Sequence, residues 1–513
     1  MPDQGGAAEG ERRLDALLTA AARRHGERVA IRDDERDHTF GDLDRAVDHV
    51  AARLGTLGVQ PGERVAVRMS NRVELPLAVL ALSRVGAVAV MVSPAWKQRE
   101  VRHALNLTGA RRALVDRDDD GVLAEHLGAD AVHDVTGWSE PTEGGPAPPR
   151  ATAAVTSDDV VLVFSSGTTG LPKAVRHTHA SLSVATRHWV DALGLTDEDR
   201  FQISTPPSHI LGLLNLLAAF DAGATVRLHR RFDIDRELAA IETDRLTLEM
   251  AVAPIVLAIA QHPDLDRFDL SSLRYIMWGA TPVTPSVAEA VTARTGVPIL
   301  AAYGASEVPV LAVNPVDRRG DWRLDSPGVP PADVQLRIVD VATGDVLSAG
   351  EVGELQARGP STLAGYLPAT ADAEAFDDGW YRTGDVGTID AGGWVRLTDR
   401  AKDMIKVNGH QVAPAEIEAV LLGHEAVRDC AVFGVPDART GEAPVAAVAL
   451  DPAVVVDDGA LRAIVDDQLA GYKRLRSVER VAAIPRLPSG KALRRELRDR
   501  WIAQHPADGE DPT

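Results

Sequence analysis

Apolar positions recur at helical spacing over residues 43–57, then give way after Gln60-Pro-Gly62 to a short β-branched run over 64–69. The exchange repeats downstream. Residues 75–85 read as a helix stopped by Gly86, 87–92 as a strand, 99–109 as a helix and 112–115 as a third strand. A helix is predicted where every third or fourth position is apolar, and a strand where a short β-branched run lies between turn residues. Alternation at this spacing predicts right-handed crossovers and a parallel sheet covered by helices. Residues 160–164 are apolar throughout, as in a strand buried on both faces. A second run of alternation extends over 181–299, and 334–339 and 353–357 are spaced like an antiparallel, barrel-like region.

The expected class is therefore α/β. A large N-terminal domain, residues 1–399, holds two parallel-type α/β sheet subdomains and a small barrel-like β subdomain. Residues 400–513 form a small α+β C-terminal domain. Residues 140–152, rich in Pro, Gly and Thr, read as a linker; 1–11 and 504–513 read as frayed ends.

Composition narrows the function classes. At 513 residues the chain is too long for one compact core. Lys and Arg total 55 against 75 Asp and Glu, a net charge of −20, which argues against nucleic acid or an anionic membrane as partner. The lone cysteine, Cys430, excludes an intrachain disulfide framework and a cysteine-rich metal site. The polar, Gly-rich start is not expected to be a secretory signal, and the apolar run 211–220 is about half the ~20 residues of a membrane span. A cytoplasmic location is expected. Six basic residues are lysine (Lys97, Lys173, Lys402, Lys406, Lys473 and Lys491), so a lysine here marks a position that needs a compact ammonium.

The most informative stretch is Phe164-Ser-Ser-Gly-Thr-Thr-Gly-Leu-Pro-Lys173, directly after a buried strand. Gly167 and Gly170 let backbone amides turn toward an anion, Ser165, Ser166, Thr168 and Thr169 add hydroxyl donors, and Lys173 adds a charge. The combination suits a polyphosphate, with a spacing that is not that of the Walker loop. Further along stand Ala302-Tyr-Gly-Ala-Ser-Glu307, Tyr381-Arg-Thr-Gly-Asp385, Asp399-Arg-Ala-Lys-Asp-Met-Ile-Lys406, Gly409-His-Gln-Val-Ala-Pro-Ala-Glu416 and Pro488-Ser-Gly-Lys491. In this order the segments resemble the adenylate-forming superfamily of acyl- and aryl-CoA ligases, peptide-synthetase adenylation domains and firefly luciferase. The resemblance is closest to enzymes of the 4-coumarate-CoA-ligase type.

The resemblance implies ATP and Mg2+, with CoA as co-substrate, and assigns roles by position. Glu307 would hold the metal. Ser165 to Gly170, Lys173, Gly279, Ala280, Thr281, Ala302, Tyr303, Gly304, Ser306, Asp385 and Arg400 would bind the nucleotide. Ser306 stands where the family usually has threonine. Lys491 would bridge the acid and the α-phosphate during adenylation, and Lys402 would be the hinge of a mobile C-terminal domain. Lys406 and Gln411 would assist the second step after that domain rotates. Asn408 and His410 depart from the pattern between them, standing where relatives carry lysine and an aromatic residue. The acid pocket would be built from His209, Leu211, Asn215, Trp278, Gly304 and Ala305. Asn215 can donate and accept, and Trp278 fills volume as a pocket wall or as core.

The implied activity is adenylation of a small, aromatic carboxylic acid followed by thioester formation with CoA. Alternatives keep the adenylation and change the acid or acceptor: a diazotase activating nitrite for an arylamine, or loading of a carrier-protein thiol. A non-catalytic nucleotide-binding relative is disfavoured by the presence of Lys491, Glu307, Asp385 and Lys173. The chain is expected to act as a monomer or homodimer.

Overall fold

The computed structural model describes residues 13–138, 158–165, 172–279, 285–400, 403–407, 410–437, 439–486 and 492–505. Within them the chain is an α/β protein with a large N-terminal part of two mixed sheets, a half-barrel sheet and a C-terminal α+β domain.

The first sheet grows from the predicted alternation. Strands Arg64–Arg68, Val88–Met91 and Arg112–Val115 pair in parallel, joined by Val132–Asp134 on one side and Asp159–Ser165 on the other. Lys173–Thr178 then adds antiparallel to Asp159–Ser165, and Gly365–Leu367 adds antiparallel beyond it. The crossover helices begin and end where local chemistry dictates. Helix Phe40–Thr56 starts on a reciprocal Thr39–Asp42 capping box. Helices Glu74–Val85 and Gln98–Thr108 stop at Gly86 and Gly109, whose positive φ (78° and 69°) suits a residue without Cβ.

The second sheet carries eight strands, with a parallel centre formed by Ile299–Tyr303, Tyr275–Gly279, Leu248–Val252, Arg200–Ile203 and Thr225–Leu228. Its far side is supplied by the start of the chain: Val29–Arg32 pairs in parallel with Thr225–Leu228, and Asp37–Thr39 pairs antiparallel outside it as the edge strand. Asn71, which follows the first-sheet strand Arg64–Arg68, ties the two sheets. Its Nδ2 donates to the Ile203 and His229 carbonyls at 2.7 and 2.8 Å.

Antiparallel strands Gln335–Val339, Gly353–Arg358, Trp380–Ile389 and Val395–Arg400 form the third sheet, as the spacing predicts. The C-terminal sheet, built on the long Val427–Asp437 and Gly441–Leu450 pair, packs over its own apolar core of Ile405, Val412, Ile417, Val432 and Leu461. The predicted run over 211–220 lies in the buried helix Ile210–Ala222. Among the described residues no helix is long and apolar enough to cross a membrane.

Candidate functional site

Ser165 and Lys173 are opposite one another where the Asp159–Ser165 and Lys173–Thr178 strands pair. The remaining phosphate-loop candidates, Ser166, Gly167, Thr168, Thr169 and Gly170, lie outside the described residues, as do Ala280, Thr281, Lys402 and Lys491. The Lys173 ammonium stands 5.6 Å from the centre of the Tyr366 ring, within cation–π range. Tyr366 reaches it because Gly365–Leu367 pairs with this strand, setting Tyr366 against Val175.

Tyr366 also faces the other way. Its hydroxyl donates to Glu307 Oε1 at 2.8 Å, and the Tyr381 hydroxyl hydrogen-bonds to Tyr366 in turn. Burial first, and the Glu307 carboxylate second, push both phenols well above their ordinary range, so they remain donors at neutral pH. Glu307 is thereby a buried carboxylate oriented by a two-tyrosine relay.

The segment carrying Glu307 leaves the strand Ile299–Tyr303 through a bend at Gly304, where a Cβ would stand 2.1 Å from the Pro309 carbonyl oxygen. His177, wholly buried on the Lys173–Thr178 strand, bonds through Nε2 to the Ser306 carbonyl at 2.8 Å. Burial lowers its pKa, so the imidazole is neutral and Nε2 carries the donated proton. The Leu363 amide donates to the Glu307 carbonyl at 2.8 Å. Tyr303, whose strand begins this bend, donates its hydroxyl to Asp385 Oδ2 at 2.5 Å. Asp385 is buried on Trp380–Ile389, in register with Arg400 through the backbone. Thus Lys173, Tyr303, Ser306, Glu307 and Asp385, scattered over more than 200 residues, are brought together.

A second group surrounds the helix Ile210–Ala222. His209 is its N-cap, and Nδ1 accepts from the Leu211 amide at 3.3 Å. Gly212 permits the approach of the preceding loop: a Cβ there would stand 2.6 Å from the Pro206 carbonyl oxygen. Asn215, one turn beyond Leu211, is 1% exposed. Its Oδ1 accepts from the Trp189 indole at 2.7 Å, while Nδ2 is buried without a partner. Trp278 is 3% exposed in an apolar cluster with Val252, Ile255 and Ile276, and half-buried Leu211 packs against that cluster and the main core.

Lys406 and Gln411 stand opposite each other in the hairpin of Ile405–Val407 and His410–Val412. Lys406 is exposed, and His410 stacks on Tyr472 with ring centres 4.4 Å apart. Among the described residues no side-chain hydrogen bond or ion pair joins Lys406 to residues 302–307.

Sequence reasoning did not single out His177, Trp189, Tyr366 or Tyr381 as site residues. Tyr381 stands inside a quoted motif and Tyr366 next to Gly365, yet their contacts arise from pairing that no local pattern announces.

Known families and relatives match the chain over most of its length. The family described as AMP-binding enzyme matches residues 18–367, and the AMP-binding enzyme C-terminal domain matches 416–491. Rice 4-coumarate–CoA ligase 5 is 35% identical over 487 residues, covering 91% of this chain and 90% of its own. Among solved structures, the amide bond synthetase McbA from Marinactinospora thermotolerans is 31% identical with a TM-score of 0.86, covering 95% of this chain and all of that one. The o-succinylbenzoate CoA synthetase from Bacillus subtilis, in complex with its acyl-adenylate, is 28% identical with a TM-score of 0.83, covering 94% and 98%. With both family segments in place and the sheets agreeing, the chain belongs to the AMP-binding, adenylate-forming enzymes.

Proposed function

We propose that the chain uses ATP to adenylate a small aromatic carboxylic acid, releasing pyrophosphate, and passes the acyl group to the thiol of CoA. The likeness to CoA ligases across nine-tenths of the chain supports the reaction. The observation that carries the substrate class is the carboxamide of Asn215.

Asn215 Oδ1 is committed to Trp189, so the amide can offer only N–H donors to a ligand that reaches it. A buried donor left unmade costs about 1–3 kcal/mol, which a ligand acceptor would recover. This favours an acid whose ring bears an acceptor oxygen, a phenol, ether or carbonyl, over one presenting only N–H groups. Leu211, on the same helix face, would supply apolar surface for a ring, with Gly304 and Ala305 as the proposed opposite wall. Trp278 closes the far end through the packing it already has.

Lys173 and the hydroxyls and amides of Ser165 to Gly170 hold the phosphates, with Gly279, Ala280, Thr281 and Ala302 against the nucleotide. Tyr303 lies against the base, Ser306 donates to the α-phosphate, and Asp385 and Arg400 take the ribose. A single buried carboxylate, Glu307, with Tyr366 on one oxygen, suits Mg2+, which takes one or two carboxylates and completes its shell with phosphate and water oxygens. The bound metal would neutralise phosphate charge. Lys491 would bridge acid carboxylate and α-phosphate, two anions that must meet, and stabilise charge as it moves to pyrophosphate. His209 would face the acid carboxylate at the reacting centre. After adenylation the unit from residue 400 turns about Lys402, withdrawing Lys491 and presenting Lys406 and Gln411.

A second reading keeps the adenylation and makes an amine the acceptor. The likeness to an amide bond synthetase favours it, as does His410 in the hairpin that carries Lys406.

Pyrophosphate release from purified protein with ATP and Mg2+ tests both. One arm holds aryl carboxylates with CoA, a second holds the same acids with amines, and a third holds nitrite with an aminoaryl acid. A CoA thioester by mass, with acceptor-bearing benzoates preferred, is the expected result. Release that yields amides only, or occurs only with nitrite, overturns the CoA reading and leaves adenylation standing.

A further inference from the structure

A buried polar chain crosses the second sheet beneath the loop that leads to His209. Gln202, Glu237 and Glu249 are each no more than 1% exposed, in a layer otherwise filled by Leu238, Ile241, Ala251 and Ile276. Gln202 and Glu249 are register partners on neighbouring strands, and Gln202 Nε2 donates to Glu249 Oε2 at 2.6 Å. Glu237, in the first turn of helix Ile234–Thr243, accepts the Ser204 hydroxyl on Oε1, while Oε2 is buried without a partner. Behind them His229 Nε2 donates to Gln202 Oε1 at 2.8 Å, and the His229 carbonyl accepts from Asn71.

Ser204 is where strand Arg200–Ile203 ends and the loop to His209 begins. That loop is pressed on the helix it precedes: the His209 amide donates to the Pro206 carbonyl, and Gly212 clears both Thr205 and Pro206. The Ser204–Glu237 bond therefore anchors one end of a tightly packed segment whose other end is His209.

We propose that Glu237 is a positioning residue for the loop that carries His209: protonated, it stays buried under the Ser204 anchor, and ionised, the cost of a dry charge outweighs the stronger bond a carboxylate takes from Ser204 and favours a hydrated, opened loop. The significance of this for catalysis rests on the acid-site reading given above. Two carboxyl groups share one dry compartment, where ionising both is costly. Burial first pushes Glu249 well above the carboxylate range, with the Glu237 charge adding to it. Burial likewise brings Glu237 up to about 7, against the Ser204 hydrogen bond, with Asp233 at the helix N-cap raising it further. His229, held down to about 4 by burial and by Arg227, stays neutral and supplies no compensating charge.

The direction follows from linkage. The packed form binds a proton that the opened form, with an ordinary carboxyl, gives up. Packing is therefore favoured below the ordinary carboxylate range and is lost progressively as pH rises to about 7. Between pH 6 and 8 this amounts to about a tenfold rise in opening.

Hydrogen exchange of amides 204–212 in the ligand-free full chain, corrected for intrinsic rates, reads this directly. The native chain should open about tenfold more at pH 8 than at pH 6, and Glu237→Gln, which keeps an acceptor for Ser204 and cannot ionise, should show no such change. The acid KM should rise with pH in the native enzyme alone, with the ATP KM unchanged. Native exchange that ignores pH, or a Glu237→Gln chain that keeps the native dependence, overturns the proposal. Should that variant fail to fold, Ser204→Ala decides: fast exchange at both pH values supports the anchor, and native behaviour overturns it. Exchange does not depend on turnover, so its failure leaves the adenylation reading intact, and absence of pyrophosphate release leaves the anchor intact.

Discussion

Trp189→Phe is the sharpest probe of the proposed acid pocket, because it alters what Asn215 could recognise while leaving Asn215 in place. Trp189 is 3% exposed on helix His179–Leu193, and its indole N–H fixes the Asn215 carboxamide with Oδ1 occupied. Phenylalanine keeps an aromatic ring in the core and deletes the donor. Leaving Oδ1 unpaired costs about 1–3 kcal/mol of stability. The same range sets the expected selectivity: a native site that can only donate should favour a methoxybenzoate over the matching aminobenzoate by roughly 5- to 150-fold in kcat/KM. Once the indole is gone the amide can turn and present its oxygen, so the variant should narrow that ratio by about tenfold. Pyrophosphate release at saturating ATP measures the ratio, and thermal unfolding confirms that the variant is folded. A folded Trp189→Phe with the native ratio would refute the donor-only argument.

The nucleotide side yields further expectations. His177→Leu removes the donor to the Ser306 carbonyl at a cost of about 1–3 kcal/mol, so adenylation should fall about tenfold or more, with partial return in His177→Gln. Tyr366→Phe keeps the ring beneath Lys173 but strips Glu307 of its oriented donor. A Mg2+ titration should shift to higher concentration while the ATP KM moves little. Lys491→Ala should slow adenylate formation roughly 100- to 1000-fold while leaving ATP binding, read by calorimetry, largely intact. Arg494→Met leaves Glu418 and Asp399 without their shared cation and should destabilise the C-terminal domain by about 3 kcal/mol in denaturant unfolding.

What could be read from the chain alone was whatever depends on neighbours in sequence. The predicted strand over 64–69 is observed at Arg64–Arg68, and the helix predicted to stop at Gly86 does so, because a left-handed residue announces itself as glycine. The ordered motifs were legible for the same reason, each being a contiguous stretch. What depends on distant pairing was not. Tyr366 meets Glu307 and Lys173 only through a strand addition some 190 residues from its partner, and Trp189 meets Asn215 only through packing of two helices. Asn215 therefore read as able to donate and accept, and the structure narrows it to a donor. Trp278 could be pocket wall or core; its burial among Val252, Ile255 and Ile276 shows how firmly it is packed.

The exchange of edge strands between the two large sheets has a consequence for how the chain is made. The second sheet takes Val29–Arg32 and its edge strand Asp37–Thr39 from the start of the chain, and the first waits for Gly365–Leu367. On the ribosome, the first sheet is therefore exposed along the Lys173–Thr178 edge until residue 367 has left the exit tunnel. The earliest segment to emerge must likewise wait for Thr225–Leu228. An unpaired strand edge is a template for pairing with another chain, so this edge stays open to such pairing while residues 178 to 367 are being made.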